Sequence, residues 1–476
     1  MVGDVLEAVL VGLQWFVLGY FLIVNGFLIL LLTMAAVDLR RQRLDVWQEG
    51  RWRLLGSDVA PVISILAPAH NEEATVTESI RSLLTLRYPS LEVVLVNDGS
   101  SDATLEVLER DFDLVAVHAA PIRRRIQTQS IRGLYRSRRT PGLVVVDKEN
   151  GGKADALNAG LVVASGELAC AIDADTIVEP DALQRMIRPF LMDDKVIAAG
   201  GTLRVVNGAD VRAGRVIRER APRRFLPGVQ AVEYLRAFLA GRVGWNRLGG
   251  NLIISGAFGL FRREAMIEAG GYRHDTVGED MELVVRMRRL AHERGGPEQI
   301  VFVPDPVAWT EVPRRLRILA RQRDRWHRGL ADVLHRHRRV ILNPRYGAMG
   351  LVVAPYFVFV ELLAPLVELV GVFVAILGLI LGLVDVEFAL LFLLVAYGLG
   401  LVLTVLTLAL EEWTFCGYGG LRDRLVLLAF GALESIGYHQ LTAFWRVRGL
   451  VRHWRGHRDW GAMEREGFRT QPAPEP

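Results

Sequence analysis

From Val9 to Val37 the chain reads VLVGLQWFVLGYFLIVNGFLILLLTMAAV without a charged residue. About 20 apolar residues suffice to cross a bilayer as a helix. The run is too long for the core of a signal peptide, and Asp4 and Glu7 precede it where a cleaved signal carries positive charge. It is therefore expected to stay as an anchor at residues 1–40. Arg40, Arg41, Arg43, Arg51 and Arg53 follow it, which places the N-terminus outside and the next segment in the cytoplasm.

Further apolar stretches explain why hydrophobic residues make up 51% of the chain. A block over 347–410 is interrupted in its first half by Pro355, Glu361, Pro365 and Glu368, so that half is expected in the interface, with only the second half crossing. Residues 388–410 read as a cleaner span, and 425–450 as a weaker one broken by Glu434, His439 and Gln440. The basic tail, 451–476, belongs in the cytoplasm by the same charge rule. A cytoplasmic middle region and a cytoplasmic tail require an even number of crossings between them, so one of the three candidates must lie flat. The expected location is a multi-pass protein of the plasma (inner) membrane.

Cys170 and Cys416 are the only cysteines, which excludes a disulfide framework or a cysteine-based zinc site and fits a reducing compartment. The net charge of +4 comes from arginine, clustered beside the apolar segments and in 121–142. Such clusters read as solvated faces or contacts with anionic head groups of a lipid bilayer. No nucleic-acid partner is expected, because no binding module accompanies them.

Between about Ala60 and Gly329 the pattern changes. Strand-like runs at 62–70, 91–100, 142–150 and 167–175 alternate with helical periodicity in 73–86, 102–112 and 153–164. Alternation of this kind predicts a mainly parallel sheet covered by helices, with ligands beyond the carboxyl ends of its strands. Those ends carry the polar residues: Ala67 to Glu73 after the first strand, Asn97 to Asp102 after the second, and Lys148, Glu149, Asn150, Gly151, Gly152 and Lys153 after the third. The fourth ends in CAIDADTIVEP, where Asp173 and Asp175 share one face of an extended chain. Two carboxylates so placed either bracket a cation or close the strand in a polar turn.

Only three lysines occur, Lys148, Lys153 and Lys195. In an arginine-rich chain, Lys153 before a helix reads either as a point charge for a phosphate or as a surface residue in a turn. Glu279 and Asp280 open a helical pattern, where acids also complement the dipole. Gln322, Arg325 and Trp326 share a helical face and suit either a diphosphate and a sugar ring or a membrane interface.

Taken in order, Pro68-x-x-Asn71-Glu72, Asp98-Gly-Ser100, Lys153-Ala-Asp-Ala-Leu-Asn158, Asp173-x-Asp175, Glu279-Asp280 and Gln322-x-x-Arg325-Trp326 resemble the family 2 membrane glycosyltransferases. That group contains the cellulose, hyaluronan, chitin and poly-N-acetylglucosamine synthases. The resemblance implies an α/β GT-A (Rossmann-like) cytoplasmic domain over 58–335 plus an α-helical transmembrane region. It implies a UDP-sugar donor contacted by Ala67, Glu72, Asp98, Lys153, Asp173, Gln322 and Arg325, and Mg²⁺ or Mn²⁺ at Asp175 and Asp173. Asp280 is the implied catalytic base with Glu279 beside it, Trp326 the implied hold on the acceptor, and 252–266 an acceptor-lining strand. Segments 228–249 and 314–333 look like interface helices.

The activity implied is inverting transfer to a growing β-linked polysaccharide, processive and coupled to translocation. Transfer of one sugar to a lipid acceptor, as in ceramide glucosyltransferases, is the alternative. A transporter or sugar-binding scaffold would explain the spans but not acids and Lys153 gathered at strand ends. Neither the donor sugar nor the linkage is legible, no regulatory domain is visible, the end RTQPAPEP reads as disordered, and an export partner stays open.

Overall fold

A computed structural model describes residues 2–48, 60–117, 126–173, 176–212, 214–296, 298–382, 387, 390–391, 394–415, 417–418 and 420–457. Arg51, Arg53, residues 121–125, Asp175, Cys416 and the tail beyond His457 lie outside the described residues, as does part of the span expected at 388–410. The chain divides into two compact units: residues 42–218 with 249–311, and residues 1–41 with 219–248 and 312–464.

The first unit is built on a ten-stranded sheet. In chain order its strands are β1 (Ile63–Ala69), β2 (Leu91–Asp98), β3 (Leu114–Ala116), β4 (Ile131–Ser137), β5 (Leu143–Lys148), β6 (Leu168–Ile172), β7 (Ile177–Val178) and β8 (Val196–Val205). The hairpin β9 (Asp210–Arg212) and β10 (Arg215–Arg218) pairs separately, and β11 (Phe258–Arg262) and β12 (Gln299–Thr310) complete the sheet. The spatial order is β3-β4-β5-β2-β1-β6-β11-β8-β12-β7.

The parallel expectation holds for the centre and for the β8–β12 pair, not for the sheet as a whole. β5, β2, β1 and β6 run parallel, whereas β11 lies antiparallel between β6 and β8, and β4 antiparallel to β5. A crossover helix is what forces neighbouring strands parallel. None joins β6 to β11, because β7 to β10 and residues 219–248 intervene, so the sheet is mixed.

Local sequence explains the central layer. β1 and β5 bury nearly every residue, as strands covered on both faces must. The helix Val76–Leu84 buries Val76, Ile80 and Leu83, and Thr104–Phe112 buries Thr104, Leu108 and Phe112, each a single stripe at helical spacing. The helix Lys153–Val163 instead buries every residue from Asp155 to Leu161. Gly160 lets it press on the sheet, since a Cβ there would lie 3.2 Å from Val96 and 3.3 Å from Leu66. Of the strand expected at 252–266, only β11 is extended; a turn at Gly256–Ala257 precedes it and the helix Arg263–Ala269 follows at once.

In the second unit, Glu7–Arg41 of the helix Val2–Gln48 is, among the described residues, the one helix long and apolar enough to cross a membrane by itself. Met349–Leu362 and Ala364–Ile380 pass the same test together, bent by 40°. Pro365 stands in the first turn of the second piece, where its missing N–H costs no helical bond. Within 388–410, residues 390–391 are helical, and a π-helical turn, Leu394–Gly398, runs into Leu399–Phe415. The single span expected at 425–450 is corrected: Leu421–Glu434 and Tyr438–Trp454 are separate helices, broken at Gly437, whose φ is 81°. Segment 228–249 forms Phe225–Leu235, a π-helical turn Arg236–Arg242 and Val243–Asn246, with Pro227 to Val232 all buried. Segment 314–333 lies within the helix Leu316–Arg336.

At the carboxyl end of β2, Gly99 has φ 63°, and a Cβ on it would lie 2.5 Å from the backbone nitrogen of Asn150. Gly99→Ala should therefore destabilise the protein by about 1–3 kcal/mol, read as a lower thermal midpoint of the full chain.

Candidate functional site

Two loops at the carboxyl ends of β1 and β2 are stapled to each other. The N–H of Asn71 donates to Ser100 Oγ at 2.9 Å, and Ser101 N–H returns a bond to Asn71 Oδ1 at 2.8 Å. Glu72 N–H donates to Thr104 Oγ1 at 2.9 Å, and Glu73 Oε2 accepts from Ala103 N–H at 3.0 Å. Ala67 is buried in β1 opposite Leu95 of β2.

A buried ionic cluster fixes the next loop. The Lys148 side chain has no exposed surface; its ammonium donates to Asp98 and lies 2.7 Å from Asp155. Asp98 also accepts the N–H groups of Gly151 at 3.0 Å and Gly152 at 2.8 Å. Its carboxylate is thus engaged inside the protein, where it holds the turn that presents Lys153. Gly152 takes φ 82° immediately before the Lys153–Val163 helix, a conformation suited to glycine.

Lys153 stands in a second, more open cluster. Its ammonium donates to Asp173 and lies 3.9 Å from Glu279 Oε1, and about a quarter of its side chain is exposed. Asp280 Oδ2 accepts the Gly256 N–H at 3.1 Å, and Oδ1 accepts the Met281 N–H at 2.7 Å. A Cβ on Gly256 would lie 3.3 Å from Lys153 Nζ and 3.5 Å from Asp280 Oδ2, which places this backbone between the two side chains. The structure therefore gathers Lys153, Asp173, Glu279 and Asp280 and ties them through Gly152 to Asp98.

The electrostatics follow from burial and crowding. Burial, then the Asp280 charge, pushes the Glu279 carboxyl up from 4.5 to about 7, with Lys153 acting against them. Burial disfavours the Lys153 ammonium, but Asp173 and Glu279 outweigh it and raise its pKa. Burial first, then Asp280 and Glu279, holds the Tyr272 hydroxyl well above its usual range.

The 269–272 turn is tied by Asn158, which ends the Lys153-to-Asn158 motif, and by Arg286 and Gly271, which were not singled out from sequence. Asn158 donates to Tyr272 O at 2.9 Å and accepts from Tyr272 N–H at 2.7 Å. Arg286 donates to the carbonyls of Ala269 and Gly271, each at 2.6 Å, and pairs with Glu282 at 2.8 Å. Gly271 has φ 69°, and a Cβ on it would lie 2.4 Å from Asn158 Oδ1. The i,i+4 spacing of Glu282 and Arg286 was the available signal.

Among the described residues no three or more His, Cys, Asp or Glu side chains form a metal-holding group. Asp173 is described and Asp175 lies outside the described residues. The donors this rim offers are carboxylates, hard oxygen ligands that suit Mg²⁺ or Mn²⁺, and Mg²⁺ sites commonly combine one or two carboxylates with substrate phosphates. The only thiol described, Cys170, is buried, and burial raises its pKa, so no soft thiolate competes.

In the other unit, Gln322 is buried, Arg325 half-buried and Trp326 42% exposed on the helix Leu316–Arg336. Arg323, not noted from sequence, lies 4.8 Å from the Trp326 ring centroid and pairs with Glu233 at 2.5 Å.

A family model described as "Glycosyltransferase like family 2" matches residues 60–329. Poly-beta-1,6-N-acetyl-D-glucosamine synthases of Staphylococcus aureus and Staphylococcus epidermidis are each 30% identical over 275 residues, 58% of this chain and 56% of theirs. The chain thus spans little more than half the length of these relatives. Among solved structures, the mannosyltransferase PcManGT from Pyrobaculum calidifontis, in complex with GDP-Man and Mn²⁺, is 19% identical, with 86% of this chain and 99% of that one covered at a TM-score of 0.48. Glucosyl-3-phosphoglycerate synthase from Mycobacterium tuberculosis is 19% identical, covering 60% of this chain and 82% of that one at a TM-score of 0.35. The family match takes in more than half of the chain and runs from the start of β1 through the Gln322-x-x-Arg325-Trp326 helix, so the chain belongs to glycosyltransferase like family 2, with a GT-A fold on its mixed α/β sheet.

Proposed function

We propose that this protein is a membrane-bound, inverting glycosyltransferase that moves a sugar from a UDP-sugar onto a growing β-linked polysaccharide. The gathering of Lys153, Asp173, Glu279 and Asp280 about Gly256 carries this reading. The identity to poly-N-acetylglucosamine synthases supports the polysaccharide product, and the apolar helix Glu7–Arg41 supports the membrane location. Processive extension with translocation, through several membrane spans and with catalysis facing the cytoplasm, completes the proposal.

Asp280 takes the proton of the acceptor hydroxyl as that oxygen attacks the anomeric carbon and the bond to the diphosphate oxygen breaks on the opposite face. One displacement inverts the configuration, giving a β-linkage from an α-linked donor. Two backbone N–H groups fix the Asp280 carboxylate for this task. Glu279, with its pKa pushed up to about 7, carries a proton more readily, which leaves the basic role to Asp280. The Lys153 ammonium, shared between Asp173 and Glu279, is the positive charge available to a donor phosphate. Mg²⁺ or Mn²⁺ bound by Asp173 and Asp175 would supply Lewis-acid neutralisation of the leaving diphosphate. Glu72 is assigned to the nucleoside, with the buried Ala67 and Asp98 acting there through the loops they hold, Gln322 and Arg325 to the diphosphate, and Trp326 to the acceptor sugar.

Asp280→Asn should lower turnover about 10²–10⁴-fold while UDP binding, measured by calorimetry, stays nearly unchanged; full turnover would remove the base. With a labelled UDP-sugar, EDTA should abolish UDP release and added Mg²⁺ or Mn²⁺ restore it. Sizing the product of that assay should give a polymer ladder, and a single lipid-soluble glycoside would instead establish the lipid acceptor.

Glu279 holds its proton more tightly folded than unfolded, so its stabilising contribution is complete below its ordinary 4.5 and is lost as pH rises through about 7. The thermal midpoint of the ligand-free protein should fall across that window, and Glu279→Gln should flatten the fall.

A further inference from the structure

The helix Tyr438–Trp454 is held on one side and open on the other. Its inner side buries Tyr438, Ala443, Trp445 and Leu450, and Gly449 meets the Leu316–Arg336 helix so closely that a Cβ would lie 2.5 Å from the Asp324 carbonyl oxygen. Arg446 donates to the Glu361 carbonyl at 2.6 Å. Arg448 and Arg452 reach Asp324 at 3.1 and 3.3 Å, and Arg328 reaches the same carboxylate at 3.1 Å.

The outer side is apolar. Phe444, Val447, Val451 and Trp454 fall at i, i+3, i+7 and i+10, one line along a helix. Phe444 is 55% exposed, Val451 38% and Trp454 76%, with Leu441 exposed nearby. Arg448, Arg452 and Arg455, at i, i+4 and i+7, follow one edge of that line, and no acidic residue occurs from Ser435 to Arg458.

We propose that this helix lies in the plane of the membrane, with Phe444, Val447, Val451 and Trp454 at the acyl boundary and the arginine edge against the phosphates of an anionic leaflet. The inference rests on the membrane location proposed above but not on the chemistry. A crossing is disfavoured: the 17 residues of this helix extend about 26 Å, short of an apolar core of about 30 Å, with Arg446 and Arg448 at mid-length. A second copy of the same face is disfavoured by charge: Arg328, Arg448 and Arg452 share the one carboxylate of Asp324, so with Arg455 each edge stays net positive and two of them repel in a two-fold contact. A lipid phosphate surface supplies both complements, the apolar depth and the negative charge.

The test uses the full chain carrying Cys416→Ser, with Cys170 buried, reconstituted in nanodiscs of phosphatidylglycerol and phosphatidylcholine. Spin labels go on Phe444→Cys, Val451→Cys and Trp454→Cys, with the exposed Glu109→Cys as a water-facing reference. The three labels should lose accessibility to a nickel chelate relative to the reference, gain it to oxygen, and share one shallow depth. That depth should decrease in phosphatidylcholine alone and in an Arg455→Gln background. Reference-like nickel accessibility, a depth changing steadily from 444 to 454, or protection from both quenchers would each overturn the proposal, meaning a water-facing, spanning or self-associated helix. Indifference to the anionic lipid would overturn the phosphate contact. UDP release from the same discs distinguishes the two readings: a common shallow depth without turnover upholds this helix and counts against the transferase alone.

Discussion

One ammonium among three carboxylates sets the terms for the rest of the site. Lys153 donates to Asp173, lies 3.9 Å from Glu279, and flanks Gly256 opposite Asp280. Two unit charges about 4 Å apart interact by about 4 kcal/mol at the effective dielectric of a protein surface. Attraction of that size raises the Lys153 pKa against the effect of burial, but it does not compensate for a third crowded acid, and Glu279 responds by holding its proton to about pH 7. The cluster is therefore balanced for addition of positive charge and poorly arranged for more negative charge. A nucleoside diphosphate arriving with a divalent cation changes the net charge little, whereas a bare diphosphate faces three acids and one lysine.

The second lysine shows what a purely internal cluster looks like. Lys148 is sealed between Asp98 and Asp155 with none of its side chain exposed, against a quarter of Lys153. A buried ion pair of this kind adds little net stability compared with well-packed apolar residues, yet losing one partner leaves a buried charge uncompensated. Its geometric effect is direct: Asp98, oriented by Lys148, accepts the Gly151 and Gly152 N–H groups and so fixes the residue preceding Lys153. Arginine, planar and forked, fits neither pocket as a compact ammonium does. That distinction accounts for two of the three lysines falling at one strand end of an arginine-rich chain.

Legibility from sequence followed the range of the interactions. The central strands and the three helices between them emerged at nearly their observed bounds, because burial on two faces leaves continuous apolar runs and burial on one leaves a stripe. The antiparallel placement of β11 was not legible, since strand direction depends on where an intervening segment returns, and no local pattern records that. Within the site, Lys153 and Asp173 stood out as charges at strand ends, whereas Glu279 and Asp280, ordinary as acids of a first helical turn, and Asn158 entered through the ordered motifs that carry the family resemblance. Arg286 did not stand out, because its work consists of bonds to the carbonyl groups of Ala269 and Gly271, which any side chains there would offer.

The parity conflict posed by the apolar segments has a physical resolution in helix length. Leu421–Glu434 and Tyr438–Trp454 contain 14 and 17 residues, about 21 and 26 Å as helices, and Gly437 at φ 81° prevents their fusion into one rod. On the in-plane reading, neither is a crossing. Among the described residues the bent pair Met349–Ile380 passes the length and composition test for one crossing, and the sequence expectation at 388–410 would supply the second. Two such crossings would return Arg446 to Arg455 to the side of the bilayer proposed for Arg40 and Arg41, in keeping with the positive-inside rule.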